Sequence, residues 1–372
     1  MKKYFVMAAL AVSTLTASAQ GVVPKWINNV KLSGFGIVQY TYNGQENNES
    51  NSFNLRLARL ALDGRAFDDW YWKAQIQFNG NTSTLGSSPK LVDLFIEWQK
   101  YDFLRVKAGQ FKNPFTYENP MHPIDQGFMS YSQVISKFAG FSDRAGAHSS
   151  NGRDIGVQLQ GDFLKNASGR NLIHYQVGVF NGQGINVKDV DQQKNIIGGA
   201  WVMPVEGMRL GAFGWIGSYA RKGTSASEGI TNTTLRRLQQ RRYAFSAEYK
   251  VDDWTFRSEY VHSTGYAFAK AMVNTNDASA KDITLSSNGD KSQGVYALVI
   301  APIIKKKCHA KARYDMYQPS KGAEKQRTQY EIGLDYYLNK NICLTGEYAY
   351  IHDRALADPN YSMIDVELSY RF

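Results

Sequence analysis

Beyond its first twenty residues this 372-residue chain has no stretch of the ~18–20 consecutive apolar residues that a membrane-spanning helix requires. Proline is scarce, with nine residues, and there are only two cysteines, Cys308 and Cys343. Two thiols cannot build a disulfide framework. They fall on strand-like segments separated by a third, roughly 10 Å apart at ~4.8 Å per strand. That exceeds the ~7 Å a disulfide tolerates, so both are expected to be free. No HExxH, GxSxG, P-loop or CxxC pattern occurs. The six histidines are scattered, so no metal site, cofactor or catalytic role is read.

Aromatic residues, by contrast, are plentiful: 23 Tyr, 19 Phe and 7 Trp, or 13 %. Yet mean hydropathy is −0.42. Alternating strands reconcile the two, because an oily face and a wet face cancel in the mean. The C-terminal segment shows the pattern. Ile364, Val366, Leu368, Tyr370 and Phe372 share one parity, and Met363, Asp365, Glu367, Ser369 and Arg371 share the other. Successive strand side chains point to opposite faces, so this strand suits a wall between lipid and water.

Sixteen such segments recur, near 31–42, 53–67, 70–80, 90–100, 103–113, 152–163, 171–181, 194–203, 208–219, 241–251, 254–266, 292–304, 307–317, 327–338, 341–352 and 362–372. Connections after even-numbered segments are short, as at Asp68-Asp69, Asp252-Asp253 and Asn339-Lys340. Those after odd-numbered segments are mostly longer, including 114–151, 220–240 and 267–291. Loop length sorted by parity marks a closed transmembrane antiparallel β-barrel, all-β with sixteen strands. A secreted β-sandwich has no reason to sort its loops so.

Lys2-Lys3, the apolar run Tyr4–Leu15 and Ala17-Ser18-Ala19 read as a secretory signal peptide over 1–19, leaving 20–372 as one barrel domain. The formal net charge of +10 loses Lys2 and Lys3 on cleavage and becomes +8. That favours anionic partners. An exported chain has no call for nucleic acid.

The second segment is less regular: if Leu55 and Leu57 face out, Arg56 faces in, and Arg59 then requires a bulge or a parity break. The longest expected connection, 114–151, carries Phe115, Tyr117, Phe128, Tyr131, Phe138 and Phe141, too much apolar surface for disorder. Folding into the barrel would bury it; capping the outer mouth is the alternative.

Three runs carry a resemblance: Gly109-Gln110-Phe111-Lys112-Asn113-Pro114-Phe115 with Glu118, Gly152-Arg153-Asp154-Ile155-Gly156-Val157, and Val177-Gly178-Val179-Phe180-Asn181-Gly182-Gln183-Gly184. In this order the chain resembles the phosphate-selective porin O and P family. The resemblance implies a homotrimeric porin of the Gram-negative outer membrane, whose inward-folded third loop constricts a lumen that passes small anionic solutes such as phosphate. It implies contact with outer-membrane lipid and lipopolysaccharide. It also likens Tyr370 and Phe372 to the signal read by the barrel-assembly machinery. Anion-attracting candidates are Arg56, Arg59, Lys73, Arg105, Lys107, Lys112, Arg257, Lys311 and Arg313. Lys112 shares parity with outward residues, so a place at the rim is open. Glu331, Asp335, Glu347, Asp365 and Glu367 form an acidic wall on the last strands. Basic residues gather on early strands and acidic ones on late strands, which suggests a field across the pore. Glu248 and Glu259 read as solvated ion-pair partners. A general pore with little charge preference, and a plugged barrel with a structural or adhesion role, stay open.

Overall fold

A computed structural model describes residues 26–78, 89–141, 151–225, 230–265, 279–282 and 291–372. The expected leader lies outside the described residues. Sixteen strands make the wall: β1 (Ile27–Asn43), β2 (Ser50–Ala66), β3 (Trp70–Phe78), β4 (Lys90–Tyr101), β5 (Leu104–Lys112), β6 (Arg153–Lys165), β7 (Asn171–Phe180), β8 (Asn195–Val202), β9 (Met208–Ser225), β10 (Ile230–Val251), β11 (Trp254–Gly265), β13 (Ser292–Ile304), β14 (Cys308–Gln318), β15 (Arg327–Asn339), β16 (Ile342–Asp353) and β17 (Asn360–Arg371). The four-residue β12 (Ser279–Asp282) lies parallel beside β9 and outside the ring. Each wall strand pairs antiparallel with its neighbour, and β17 pairs with β1, so the sheet closes and has no free edge.

All sixteen expected segments are strands. The main departure is the expected loop 220–240. There β9 and β10 run on past the barrel as a hairpin, paired as far as Ser225 and Ile230. Arg236 and Arg237 therefore belong to a strand rather than to an irregular loop. The short turns use residues of positive φ, including Asp68 (φ 61), Asp253 (φ 75) and Lys306 (φ 59), as two-residue hairpins demand. Cys308 and Cys343 are free, with β15 between their strands.

The faces separate as the alternation requires. Ile332 and Leu334 are exposed on the outside, whereas Glu331 and Asp335 on the same strand are buried inside. The second strand does contain a bulge. Ile37 pairs with Leu57 and Val38 with Leu55, so Arg56 is the extra residue. The bulge reverses parity, and both Arg56 and Arg59 consequently face the lumen.

The third loop turns inward after β5 and carries the helix α1 (Gln133–Phe138). Its apolar side chains Phe115, Tyr117, Phe128, Val134, Ile135 and Phe138 pack with Phe213, Trp215, Tyr296 and Leu298 of the far wall in one buried cluster. Burying this surface inside the barrel settles where it goes. The loop's neck is closed by Asn113 N–H donating to Gly152 O at 2.8 Å. Asn119 Nδ2 donates to the same carbonyl at 3.2 Å. Gly152 has φ 70, and a Cβ there would stand 2.1 Å from Asn119 Oδ1, so only glycine allows this approach.

Candidate functional site: a cationic cavity beside the third loop

Strands β10 to β16 hold the loop through its backbone. Tyr117 and Glu118 donate their N–H groups to Glu259 at 2.7 and 2.9 Å. Arg257 donates to Gln126 O at 3.0 Å, Lys311 to Gly127 O at 2.9 Å and Arg313 to Ser130 O at 3.0 Å. Asp315 accepts Gln133 N–H at 2.7 Å. Glu259 is therefore no solvated ion-pair partner. It is fully buried and also accepts Tyr296 O–H at 2.8 Å. A loop stitched to one wall leaves open space against the other.

That space is a cavity of about 290 Å³ between the loop and β2–β7. Five cationic side chains line it, Arg59, Lys73, Lys107, Lys112 and Arg153, against one carboxylate, Asp93. Arg153 is bidentate to Asp93, at 2.6 and 3.2 Å. Lys107 reaches Glu97 at 3.6 Å. Among the described residues no carboxylate lies within 4.0 Å of the other three. Arg59 is buried, donates to Gln77 at 2.9 Å and lies over the Phe35 ring at 5.7 Å. Lys112 faces the loop rather than the rim, donating to Tyr131 Oη at 3.1 Å. A buried cation without a counter-charge is costly unless something anionic answers it.

The other candidate cations are answered within the wall. Arg56 pairs with Glu367 at 2.7 Å, and Arg105 pairs with Asp162. Arg257 pairs with Glu248 at 3.1 Å. Lys311 sits between Asp335 at 2.8 Å and Glu347 at 2.7 Å, and Arg313 Nη2 is 2.9 Å from Glu331. Asp365 accepts from Gln39 at 3.3 Å. The expected separation of a basic wall from an acidic wall is thus corrected: the expected acidic-wall residues other than Asp365 are paired with Lys311, Arg313 and Arg56. The early basic and late acidic strands are also neighbours around the ring, since only β1 divides β2 from β17. Charge imbalance survives at the cavity.

Arg153 escaped the reading by parity. It shares parity with outward Val157 and Leu159, but it follows Asn151 (φ 53) and Gly152, where the pleat ends and the chain turns inward. Its place at the end of the long loop, beside Asp154 in a quoted motif, was the available signal. His122 and its neighbouring prolines in the loop carried none.

A closed sixteen-stranded antiparallel barrel with short turns at one end and a long third loop inside its lumen is the architecture of outer-membrane porins. Tyr370 and Phe372 stand on its outer face at the seam. Residues 33–191 match the family model for phosphate-selective porin O and P, the family the three motifs resembled. The barrel is similar to the anion-selective porin from Comamonas acidovorans (TM-score 0.62, 14 % identity, 92 % of this chain and 99 % of that one). It is similar to OmpT of Vibrio cholerae in its trimer form (0.61, 13 %, 92 % and 99 %). It is also similar to the outer membrane channel DcaP of Acinetobacter baumannii (0.58, 12 %, 92 % and 97 %). Identities this low speak for the fold. No characterised protein matches the chain in sequence.

Proposed function

We propose that this porin passes small hydrophilic solutes by passive diffusion and favours anions, with no catalytic step. One observation carries the reading: the cavity beside the loop is lined by five cations and one carboxylate, while the other candidate cations Arg56, Arg105, Arg257, Lys311 and Arg313 are each paired with a wall carboxylate. Paired charges cancel within a Debye length of ~8 Å, whereas unpaired ones at a constriction do not. An interaction of about 1.4 kcal/mol changes occupancy tenfold. Favourable but weak binding of this kind attracts an ion without trapping it.

The alternation of lipid-facing and lumen-facing residues, the family match and the porin neighbours support residence in the outer membrane of a Gram-negative bacterium. On this reading residues 1–19 are the export leader and 20–372 the barrel. Tyr370 and Phe372 present the assembly signal, and the outer face meets lipid and lipopolysaccharide. A homotrimer is supported by the trimeric OmpT neighbour.

The test is the reversal potential of the purified barrel in a planar bilayer under a KCl gradient. A potential of the sign set by chloride is expected. A potential near zero would leave a general pore, and absence of conductance would mean that the loop plugs the barrel.

A further inference from the structure

The two walls of the cationic cavity differ in chemistry. The barrel wall is polar, with Gln75, Gln158, Gln160 and Gln176 beside the charges, and aromatic faces stand among them: Lys107 Nζ lies 5.1 Å from the Phe95 ring centre and 5.3 Å from that of Phe111. The loop wall consists of Pro114, Pro120, Met121, His122 and Pro123. Three of these five have no backbone N–H to donate. The Met121 carbonyl is already engaged by Lys112. His122 packs edge-on against Phe35 at 4.4 Å, and its Nδ1 accepts Ile124 N–H at 3.3 Å. Burial pushes the His122 pKa down to about 4, so the ring carries no charge at neutral pH.

Such a cavity offers charged donors on one side and an apolar surface on the other. Inorganic phosphate presents acceptor oxygens in every direction. Against the prolines and Met121 some of those oxygens lose water and gain no donor, which is unfavourable. A carboxylate attached to an apolar body has the asymmetry of the cavity itself. Its head meets the guanidinium and ammonium groups of Arg59 and Lys73. Its body lies between Phe95 and the Pro120–Pro123 segment, where burial of apolar surface favours it.

We propose that the cavity selects amphiphilic organic anions, of the single-ring or branched carboxylate class, over inorganic phosphate. The proposal rests on the anion-channel reading above and names the solute class for it. A volume of about 290 Å³ is at the small end for a ligand pocket, which suits one ring and excludes larger anionic glycans.

The experiment uses the whole folded barrel in a planar bilayer, with single-channel chloride current recorded while benzoate, acetate or phosphate is added at pH 7.5. Benzoate is expected to interrupt the current at about tenfold lower concentration than acetate or phosphate. Phe95→Ser is expected to raise the benzoate concentration needed by about fivefold and that of phosphate by less than about twofold. Equal potency of benzoate and acetate, or greater potency of phosphate, would overturn the proposal. The KCl reversal potential on the same bilayer separates the two readings: anion preference with phosphate the better blocker removes only the organic-anion selection, whereas absence of anion preference removes the channel reading beneath it. If Phe95→Ser does not reach the heat-modifiable folded form, the three-anion comparison on the unaltered barrel decides alone.

Discussion

Glu259, deep in the wall of β11, accepts the backbone N–H of Tyr117 at 2.7 Å and so anchors the entry of the third loop 142 residues away in sequence. The neighbouring Glu118 N–H uses the other carboxylate oxygen at 2.9 Å. The side chain must therefore accept on both oxygens. Glu259→Gln keeps one acceptor and turns a donor toward a donor. An orphaned buried N–H costs about 1–3 kcal/mol, which shifts the balance between docked and undocked loop by about five- to a hundredfold. Single-channel records of the variant should show larger conductance or frequent steps to a larger level. A quiet trace of unaltered conductance would mean that the remaining loop contacts suffice.

Among the described residues no carboxylate lies within 4.0 Å of Arg59 or Lys73, whereas Arg105 is paired with Asp162. Removing the first two charges should matter more than removing a neutral pair. Arg59→Gln with Lys73→Gln is expected to lower the anion-to-cation permeability ratio by about three- to tenfold, the scale of 1 kcal/mol or so from charges a few ångströms from a passing ion. Arg105→Gln with Asp162→Asn should leave the ratio within about twofold. Equal effects in the two double variants would mean that wall charges act by number rather than by pairing.

The same contrast shows what was legible in the sequence. Alternation on β3, β11 and β15 revealed the barrel because lipid on one side and water on the other enforce a strict period of two. The irregularity at Arg56–Arg59 was legible as a bulge or a parity break, because two inward arginines three apart cannot share a regular strand, and register decides for the bulge. Pairing was harder to read. Arg56 finds Glu367 because the barrel closes and only β1 lies between their strands, a relation that depends on closure and register rather than on linear order. The loop's apolar content revealed that it must be buried. Which wall would hold it was set by the Glu259 side chain accepting loop N–H groups and by Lys311 and Arg313 donating to loop carbonyls, and no sequence period encodes those.

His122 gives the cavity a dependence on acidity. Burial holds it neutral until about pH 4, well below the ordinary value of a histidine. Between pH 8 and pH 6 the ring adds no charge, so anion preference should be flat. As the pH falls toward 4 the ring gains a proton and adds a positive charge beside Arg59 and Lys112, and the preference should rise. Carboxylates in general also gain protons as the pH falls, which acts in the same direction. The check is therefore the difference between the unaltered barrel and His122→Gln in reversal potential at pH 4 and pH 7. Identical changes in the two proteins would assign the whole effect to the carboxylates.

The seam of the barrel offers the last prediction. Phe372 and Gly34 exchange both backbone hydrogen bonds, at 3.0 and 3.1 Å, and Gly36 stands opposite Tyr370 in register. A Cβ on Gly36 would lie 2.5 Å from the Tyr370 ring, so the ring occupies the space that the missing side chain leaves. Valine is otherwise a favourable strand residue. Gly36→Val should nevertheless destabilise the barrel, by about 1–3 kcal/mol, because the ring must leave the strand surface. Tyr370→Ala should cost about 0.2–1 kcal/mol through the lost cross-strand packing. Together they should cost less than their sum, since the valine fills the place the ring vacates. Midpoints of urea unfolding, followed by the heat-modifiable shift of the folded form, measure all four proteins. Simple additivity would show that the glycine and the tyrosine act independently and that the seam does not depend on their contact.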